Sequence, residues 1–332
     1  MGDKIEALGV PVLAVDMQPG RFSISGYRRL VHILREHRSD VVQTWMYHAN
    51  LIGGLAARQA EVPRIVWGLH HTTLDPRRDK RHTIWAARLG GFLSGRVPDR
   101  VICCSQATCD THCQIGYRAD RMIVIPNGYD LATFKPDHGA RARLHEELGL
   151  DQSVKVIGMA ARFHPQKDHE NFLDAAAITM KSREDIQFLL CGGEIDMGNA
   201  TLMAWISERG LEGRVHLLGV RHDMPSVYAG LDVATLSSSH GEAFPNVVSE
   251  SMSCGIPTIV TDVGDAVHIV GDAGWVVSPS DSEALAGAWL EALALSPEER
   301  EKLGLKTRTR IRERFSIQSM VARYEEQYLL DR

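Results

Sequence analysis

Two glutamates, Glu242 and Glu250, stand eight positions apart in a segment that has the pattern of a loop followed by a helix. Eight helical residues rise about 12 Å, a span that suits a ligand with a hydroxylated group at each end. A carboxylate can accept hydrogen bonds from two neighbouring hydroxyl groups, so one glutamate could hold a ribose and the other a hexose. Without further context, such a pair is most often two solvated surface charges.

The helix of this segment is predicted over Asn246–Cys254, directly after Pro245. Its first turn has backbone N–H groups without helical partners and carries the positive end of the helix dipole. Pro245 leaves that end open, because a proline at or before the first turn removes no helical hydrogen bond. The segment therefore predicts a seat for a phosphate or a diphosphate.

Two cations, Arg162 and Lys167, follow the first strand candidate of the second half of the chain. Arg162 could contact diphosphate oxygens with its forked guanidinium, and Lys167 could act on the same group as a point charge. Together they would stabilise the negative charge that develops on a leaving diphosphate. Both side chains could instead pair with neighbouring Asp or Glu residues and serve only the fold.

Composition and charge describe an ordinary globular protein. The chain has 332 residues, the length of two domains, with 44% hydrophobic and 24% charged residues. Residues 1–150 hold 20 Lys and Arg against 15 Asp and Glu, and the remainder 17 against 27, so the halves carry +5 and −10. This difference fits two domains with different partners or ordinary surface variation, and it lacks the uniform basicity of nucleic-acid-binding proteins.

The six cysteines lack the spacing of a disulfide framework, which predicts a reducing compartment. Cys104, Cys109, His112 and Cys113 lie close in sequence but have no paired zinc knuckle, so we expect no metal site. We find neither an apolar run that would span a membrane nor a signal peptide. These observations predict a cytoplasmic protein.

Short Val- and Ile-rich runs alternate with segments of helical period, which predicts an α/β protein with parallel sheets covered by helices. The strands expected in the first half are Val10–Val15, Asp40–Trp45, Arg64–Leu69, Arg100–Cys103 and Met122–Ile125. Those expected in the second half are Lys155–Ala160, Gln187–Cys191, Val215–Leu218, Val233–Leu236, Thr258–Thr261 and Gly274–Val277. The fold expected is two doubly wound, Rossmann-like domains that face each other across a cleft.

Polar turn residues near position 135 mark the expected domain boundary. We predict an N-terminal acceptor-side domain over residues 1–137, incomplete at its start, and a donor-binding domain over 138–314. Residues 315–332 form a last helix that is expected to pack back on the first domain, with one apolar stripe made of Met320, Tyr324 and Tyr328.

The segment from Val101 to the C-terminus resembles the retaining glycosyltransferases of family 4 (glycosyl transferases group 1), which have the GT-B architecture. Several motifs occur in the family's order and spacing: Ser105, Gly116-Tyr117, residues 124–130, Phe134, residues 161–168, the paired glutamates and Asp262-Val263-Gly264. In the first half the resemblance is looser and lies in two loops that bear histidines, residues 43–50 and 67–72.

The resemblance implies roles for single residues. Arg162 and Lys167 match residues that bind the donor phosphates, Glu242 matches one that touches the donor sugar, and Glu250 matches one that binds the nucleotide ribose. The rest of the implied donor site comprises Phe244, Pro245, Asn246, Val247, Asn127 and the base-reading positions Gly219, Val220 and Arg221. His71, followed by Thr72, matches the family's active-site histidine, which hydrogen-bonds the donor sugar. His48 and His70 are second choices, as cleft-lining or structural residues.

The chain departs from the family in two places. Relatives open with a strand, a glycine-rich loop and a helix, and this sequence is expected to begin after that unit, as a truncation, a different gene start or a rebuilt domain. Asp265 stands where many relatives have a second glycine, which would alter the phosphate-side loop or change nothing.

An amphipathic pattern runs from Arg77 to Arg100, where apolar positions at helical period are flanked by cations. The pattern suits an anionic membrane surface or a lipid-linked acceptor. It also fits a helix whose apolar stripe faces the core and whose basic face is solvated, which is the commoner arrangement. The apolar members are Ile84, Trp85, Leu89, Phe92 and Leu93, and the cations are Arg77, Arg78, Lys80, Arg81, Arg88 and Arg96.

The resemblance implies an enzyme that moves a sugar from a nucleotide diphosphate sugar to an acceptor with retention of anomeric configuration. A UDP-sugar is favoured over a GDP-sugar, the acceptor would be a glycan, a lipid-linked sugar or a small molecule, and polysaccharide biosynthesis is the expected context. No metal or other cofactor is expected, and no nucleic acid. Two alternatives stay open: a module that binds nucleotide sugars without transferring them, and an epimerase of similar fold.

Overall fold

The computed structural model describes residues 2–17, 22–72, 74 and 80–329, which form two parallel β-sheets covered by helices. The strands are β1 Val41–Trp45, β2 Arg64–Leu69, β3 Arg100–Cys103, β4 Met122–Val124, β5 Lys155–Ala160, β6 Ile186–Cys191, β7 Val215–Leu217, β8 Val233–Leu236, β9 Thr258–Thr261 and β10 Trp275–Val277. The helices are α1 Gly2–Glu6, α2 Ile24–Glu36, α3 Tyr47–Gln59, α4 Arg81–Leu93, α5 Gln106–Gln114, α6 Ala140–Leu148, α7 His169–Met180, α8 Ala200–Glu208, α9 Met224–Gly230, α10 Asn246–Ser253, α11 Ala266–Val270, α12 Ser282–Leu293, α13 Pro297–Arg314 and α14 Ile317–Leu329.

The first sheet has its strands in chain order, β1-β2-β3-β4. Strand β2 is buried almost throughout, because helices cover both of its faces and its residues are continuously apolar. Trp67 lies at the centre of this core beneath α3, where Gly54 has no side chain to keep the helix away from the indole. The sheet therefore presents the carboxyl ends of four parallel strands along one edge.

The second sheet has the order β10-β9-β8-β5-β6-β7. The chain adds strands outward from β5 to β7 and then returns to add β8, β9 and β10 on the other side of β5. An aromatic cluster in its core packs Phe172 of α7 and Phe188 of β6 against Trp289 of α12. Open sheets of this kind bind ligands beyond the strand ends where the order reverses, which here lies between β5 and β8.

The two sheets are joined twice by the chain. The backbone passes from the first to the second after Tyr129, and it returns between α13 and α14, where Tyr129 N–H donates to Phe315 O (2.9 Å) and Ile317 N–H donates to Tyr129 O (3.0 Å). Helix α14 then lies against the first sheet. Its apolar residues Met320, Tyr324 and Tyr328 contact a small core made of Val66, Ile102 and Ile125.

The predicted strand Val10–Val15 is wrong. This stretch is irregular and mostly exposed, and β1 pairs only with β2 among the described residues. Val15 and Met17 instead lie over Gly26 of α2, where they line a groove of about 760 Å³ beside β1. An apolar run becomes a strand only where a neighbouring strand satisfies its backbone groups, and none is present here.

Helix α4 turns its large apolar side chains outward. Trp85 is 74% and Phe92 67% exposed, and Leu89 between them is exposed as well. The helix packs inward through small residues, with Gly90 against the Tyr117 hydroxyl and Gly91 against the Ile115 carbonyl. The core-facing interpretation of this stripe is therefore wrong for Trp85, Leu89 and Phe92, while Arg77 and Arg78 lie outside the described residues.

Among the described residues, none of the helices combines the length and the apolar character that crossing a bilayer requires.

Candidate functional site

Lys167 and Glu242 meet at the point where the order of the second sheet reverses. Lys167 ends a short 3₁₀ turn after β5, and Glu242 lies in the loop after β8. The Lys167 ammonium donates to Glu242 Oε1 at 2.5 Å, and the Ser238 hydroxyl donates to the same oxygen at 2.6 Å. Glu242 is only 7% exposed, so these two donors replace hydrogen bonds that water would otherwise make to its carboxylate.

Glycines allow the loops of this site to approach each other. Gly264, after β9, has a left-handed φ of 54°, and a Cβ there would lie 2.1 Å from the Glu242 carbonyl oxygen. Gly192, after β6, lies against the backbone of Ala161, where a Cβ would come within 2.2 Å of the carbonyl oxygen. These contacts fix the loops after four strands, β5, β6, β8 and β9, at one edge of the sheet.

The Arg162 side chain, directly after β5, is exposed at the same edge. Within the part of the chain that the structure describes, its guanidinium has no ion-pair or hydrogen-bond partner. Lys167 is different, because its ammonium already pairs with Glu242. The two predicted phosphate ligands thus comprise one free cation and one paired cation that retains further N–H donors.

Helix α10 begins at Asn246 with Pro245 in the capping position, which supplies no side-chain acceptor to the first turn. The Asn246 side-chain oxygen accepts from the Tyr129 hydroxyl (2.7 Å) and from Asn127 Nδ2 (2.9 Å). The rings of Tyr129 and Phe244 stack with centroids 6.4 Å apart. The first crossover between the sheets thus holds the start of this helix, and Phe244 and Pro245 are themselves buried.

Glu250 lies one turn further along α10 and is partly buried. Burial raises the pKa of Glu250 above its ordinary value, and the neighbouring Tyr228 hydroxyl acts in the opposite direction. Glu242 lies in the loop and Glu250 in the helix that follows it, and their roles toward a donor stay predictions. Only Glu242 has a cationic partner among the described residues.

The loop after β2 reaches the second sheet beside this site. Thr72 Oγ1 donates to the Glu242 carbonyl oxygen at 3.0 Å, which brings the loop that bears His71 against the backbone of Glu242. His70 lies in a depression near Asn127 and α14. His48 is exposed and faces His82, with ring centroids 5.4 Å apart, so it lines the groove beside β1 instead of this cleft.

Asp265 connects the two sheets directly. Its carboxylate accepts from the backbone N–H groups of Gln106 (2.9 Å) and Ala107 (3.1 Å), the first two residues of α5. The third N–H of that helix, from Thr108, bonds to the Ser105 hydroxyl, so one cap comes from each half of the molecule. The side chain of Asp265 therefore supplies a direct contact between the halves.

The family model described as Glycosyl transferases group 1 matches residues 140–310, and the one described as Glycosyltransferase Family 4 matches residues 5–133. The chain belongs to the glycosyl transferases group 1 family.

Several proteins resemble this family member along most of its length. It is 25% identical over 300 residues to the UDP-Gal:alpha-D-GlcNAc-diphosphoundecaprenol alpha-1,3-galactosyltransferase of Escherichia coli, a match that covers 87% of this chain and 75% of that one. It is 28% identical over 283 residues to the D-inositol 3-phosphate glycosyltransferase of Mycolicibacterium gilvum, a match that covers 78% of this chain and 59% of that one.

A crystal structure of Anabaena Alr3699/HepE in complex with UDP superposes with a TM-score of 0.85 at 26% identity, covering 98% of this chain and 87% of that one. The expected fold class, two parallel-sheet domains in the GT-B architecture, is confirmed by the sheets and by this likeness.

The predicted base-reading positions of this group 1 family member follow β7. Gly219 and the exposed Val220 lie at the strand end, but the Arg221 guanidinium pairs with Asp223 (2.7 Å) and with Glu147. Arg221 is therefore held by acidic neighbours, and its backbone is the part left for a ligand. The described residues contain no group of His, Cys, Asp or Glu side chains arranged to hold a metal ion.

Sequence reasoning missed the residues that hold the predicted ones in place. Ser238, Tyr228 and Tyr129 each touch a predicted site residue. Tyr129 lies within the motif of residues 124–130, and Ser238 comes four residues before Glu242. The position of each residue in the sequence could therefore have identified it as part of the site. Tyr228 had no such signal, because its helix joins the site only through tertiary packing.

Proposed function

We propose that this glycosyltransferase moves a sugar from a UDP-sugar to an acceptor hydroxyl with retention of anomeric configuration. The observation that carries the proposal is the cluster of Arg162, Lys167 and Glu242 at the reversal of the second sheet, beside the open start of α10. Support for uridine as the base comes from the UDP complex of Anabaena HepE and from the UDP-Gal named for the E. coli relative.

In this proposal the diphosphate lies between Arg162, Lys167 and the first turn of α10. The bond between the sugar C1 and the leaving phosphate oxygen breaks, and the acceptor oxygen forms a bond to C1 on the same face. The acceptor proton passes to the departing phosphate. The two cations and the helix dipole stabilise the charge that grows on the diphosphate, so the reaction needs no metal.

Glu242 would hold the sugar on one flank of the diphosphate and Glu250 the ribose on the other. Because Lys167 neutralises Glu242, the cluster before ligand binding carries one excess positive charge, from Arg162. His71, whose loop is anchored to Glu242 through Thr72, would donate to or accept from the sugar hydroxyls. The remaining donor positions would line the sugar and phosphate chiefly with backbone groups.

The test is a transfer assay with Arg162→Ala and Lys167→Ala. Each variant is expected to lower kcat/KM by about a hundredfold or more, because a charge opposite the leaving group is lost. Arg183→Ala is the matched control, since Arg183 pairs with Asp185 just before β6, away from the carboxyl ends. Near-normal rates in either cation variant would remove the diphosphate assignment, and the anomeric proton coupling of the product tests retention.

The two alternatives give different results in paired measurements. A module that only binds would show heat on titration with UDP-sugars and form no product with any acceptor. An epimerase would convert the donor sugar with no acceptor present. The proposed transferase would show donor binding and a product that requires an acceptor.

We also propose that α4 contacts an anionic membrane surface from which a lipid-linked acceptor is taken. Trp85, Leu89 and Phe92 recur at i, i+4 and i+7 on the exposed face of the helix, and we name them the α4 stripe. Exposed cations lie beside it, and the Arg96 guanidinium lies 5.1 Å from the Phe92 ring centroid. Aromatic side chains flanked by Arg and Lys favour the interface of an anionic bilayer.

Vesicle sedimentation tests this contact. The protein is expected to bind phosphatidylglycerol vesicles, to bind phosphatidylcholine vesicles weakly, and to lose binding when Trp85 and Phe92 are both changed to Ser. Leu305→Ser, at an equally exposed apolar site on α13, is the control and should leave binding unchanged. Equal sedimentation of both variants with anionic vesicles would refute the contact.

A further inference from the structure

A line of buried polar groups leads from helix α5 to His71. His112 on α5 is fully buried and Tyr47 on α3 is nearly so. The Tyr47 hydroxyl lies 2.9 Å from His112 Nε2, and His112 Nδ1 lies 2.7 Å from the Thr108 carbonyl oxygen. The three groups belong to two helices of the first half, and each makes its hydrogen bond out of contact with water.

The hydrogen bonds fix where the protons are. The Thr108 carbonyl can only accept, so His112 Nδ1 carries a proton and donates it. Burial lowers the pKa of His112 to about 4, so the imidazole is neutral near pH 7 and its Nε2 has a free lone pair. The Tyr47 hydroxyl must then donate to Nε2, which leaves the phenolic oxygen as an acceptor only.

Tyr47 stands against His71. The two rings meet edge to face, with centroids 6.4 Å apart and planes at 78°. Tyr47 opens α3 directly after Met46, which has a left-handed φ of 71° and whose N–H donates to the Gly68 carbonyl (3.0 Å). This bond fixes the start of α3 against the end of β2, and the Tyr47 ring, which is 2% exposed and bonded to His112, has little freedom to move.

We infer that Tyr47 and His112 are positioning residues for His71. Tyr47 limits the rotation of the His71 ring, and His112 fixes Tyr47 by accepting its only proton. The inference rests on the proposed role of His71 toward the donor sugar. An active-site side chain has to be held within about 0.5 Å of its productive position, and a buried hydrogen-bonded neighbour does this better than a solvated one.

Tyr47→Phe tests the inference because it keeps the ring and removes the hydroxyl. We expect kcat to fall about tenfold while KM for the donor stays within twofold, because a misplaced His71 affects the reacting sugar more than nucleotide binding. Tyr117→Phe is the matched control. Tyr117 packs edge to face on the His112 ring with centroids 5.1 Å apart, and its buried hydroxyl has no hydrogen-bond partner among the described residues.

Two kinetic outcomes would overturn the inference: a kcat of Tyr47→Phe within twofold of the wild type, or equal losses in both variants. A ¹⁵N spectrum of the histidine rings gives a test that needs no activity, with His112 assigned by comparison with His112→Gln. His112 is expected to show a neutral ring protonated on Nδ1 from pH 5.5 to 8, with Tyr47, His71 and Tyr117 as its titratable neighbours. Titration of the His112 ring near pH 6.5 would overturn the inference. A wild-type protein that transfers no sugar would refute the proposed function, and the ¹⁵N spectrum would still test the positions of Tyr47 and His112.

Discussion

Asp265→Ala removes the carboxylate that caps helix α5 from the other half of the molecule. Asp265 is 6% exposed and accepts two backbone hydrogen bonds, from Gln106 and Ala107. A hydrogen bond to a charged group contributes about 1.5–3 kcal/mol. When the halves separate, water makes hydrogen bonds to the same groups and offsets part of this energy. We therefore take the net contribution of the two bonds to the free energy of closure as about 2 kcal/mol. The variant should therefore shift the ratio of closed to open molecules by about thirtyfold toward the open form.

Small-angle scattering and steady-state kinetics measure this effect. The radius of gyration of Asp265→Ala should increase without donor, and saturating donor should return it toward the wild-type value. Its kcat/KM should fall by tenfold or more, because closure now takes part of the binding energy. The radius of gyration and kcat/KM of Asp265→Asn should lie between those of the wild type and of Asp265→Ala, because the amide oxygen can accept one of the two hydrogen bonds.

Asp272→Ala is the control, because Asp272 is an exposed carboxylate of the same half whose ion-pair partner is Lys306. It should leave both the scattering curve and kcat/KM unchanged. An Asp265→Ala protein with wild-type dimensions and wild-type kcat/KM would refute the reasoning. It would show that the α5 contact does not hold the halves together.

The other predictions concern the donor side and its stability. Lys167→Met should lower the free energy of unfolding, measured by chemical denaturation, by about 3 kcal/mol, because it leaves Glu242 buried without its cation. Adding Glu242→Gln to this variant should restore stability. A transfer assay should show that it does not restore transfer. Gly264→Ala should cost about 2 kcal/mol or more and abolish transfer, measured in the same way, because its Cβ would displace the loop that carries Glu242. Burial raises the pKa of Glu250, so its contribution to stability is lost as pH rises through that pKa; Glu250→Gln should raise the melting temperature more at pH 7 than at pH 4. Burial lowers the pKa of His169 to about 4, so wild-type unfolding free energy should fall as pH drops from 6.5 to 4, and His169→Gln should show a smaller fall in denaturation curves.

Local pattern was enough to predict most strands, because a residue run such as Arg64–Leu69 is apolar on both faces and is buried on both faces. The same reasoning failed for Val10–Val15, which has similar residues. Strand formation there depends on a neighbour that local sequence does not specify. The core-facing prediction for the α4 stripe was wrong for a related reason. The small residues Gly90 and Gly91 pack on the inward face of the helix, where the large residues were expected to lie.

The candidate site shows the same division. Residue chemistry and resemblance singled out Lys167, Glu242 and Asp265, and their proposed roles stay predictions. Their partners could not be predicted from the sequence, because the Lys167 and Glu242 contact joins residues 75 positions apart and the bond from Gln106 to Asp265 spans 159. Pairings across such distances depend on sheet order, which the alternation of strands and helices leaves open.

The double passage of the backbone between the halves has a mechanical consequence. Tyr129 on the outgoing segment is hydrogen-bonded to Phe315 and Ile317 on the returning one, so a parallel β-bridge joins the two connections at this point. A domain joined by one flexible linker can rotate about three axes. A domain joined by two short segments that are bonded to each other rotates chiefly about the axis through that connection. Each opening should therefore follow nearly the same arc, and the loop that carries His71 should return to the same place above Glu242 at every turnover.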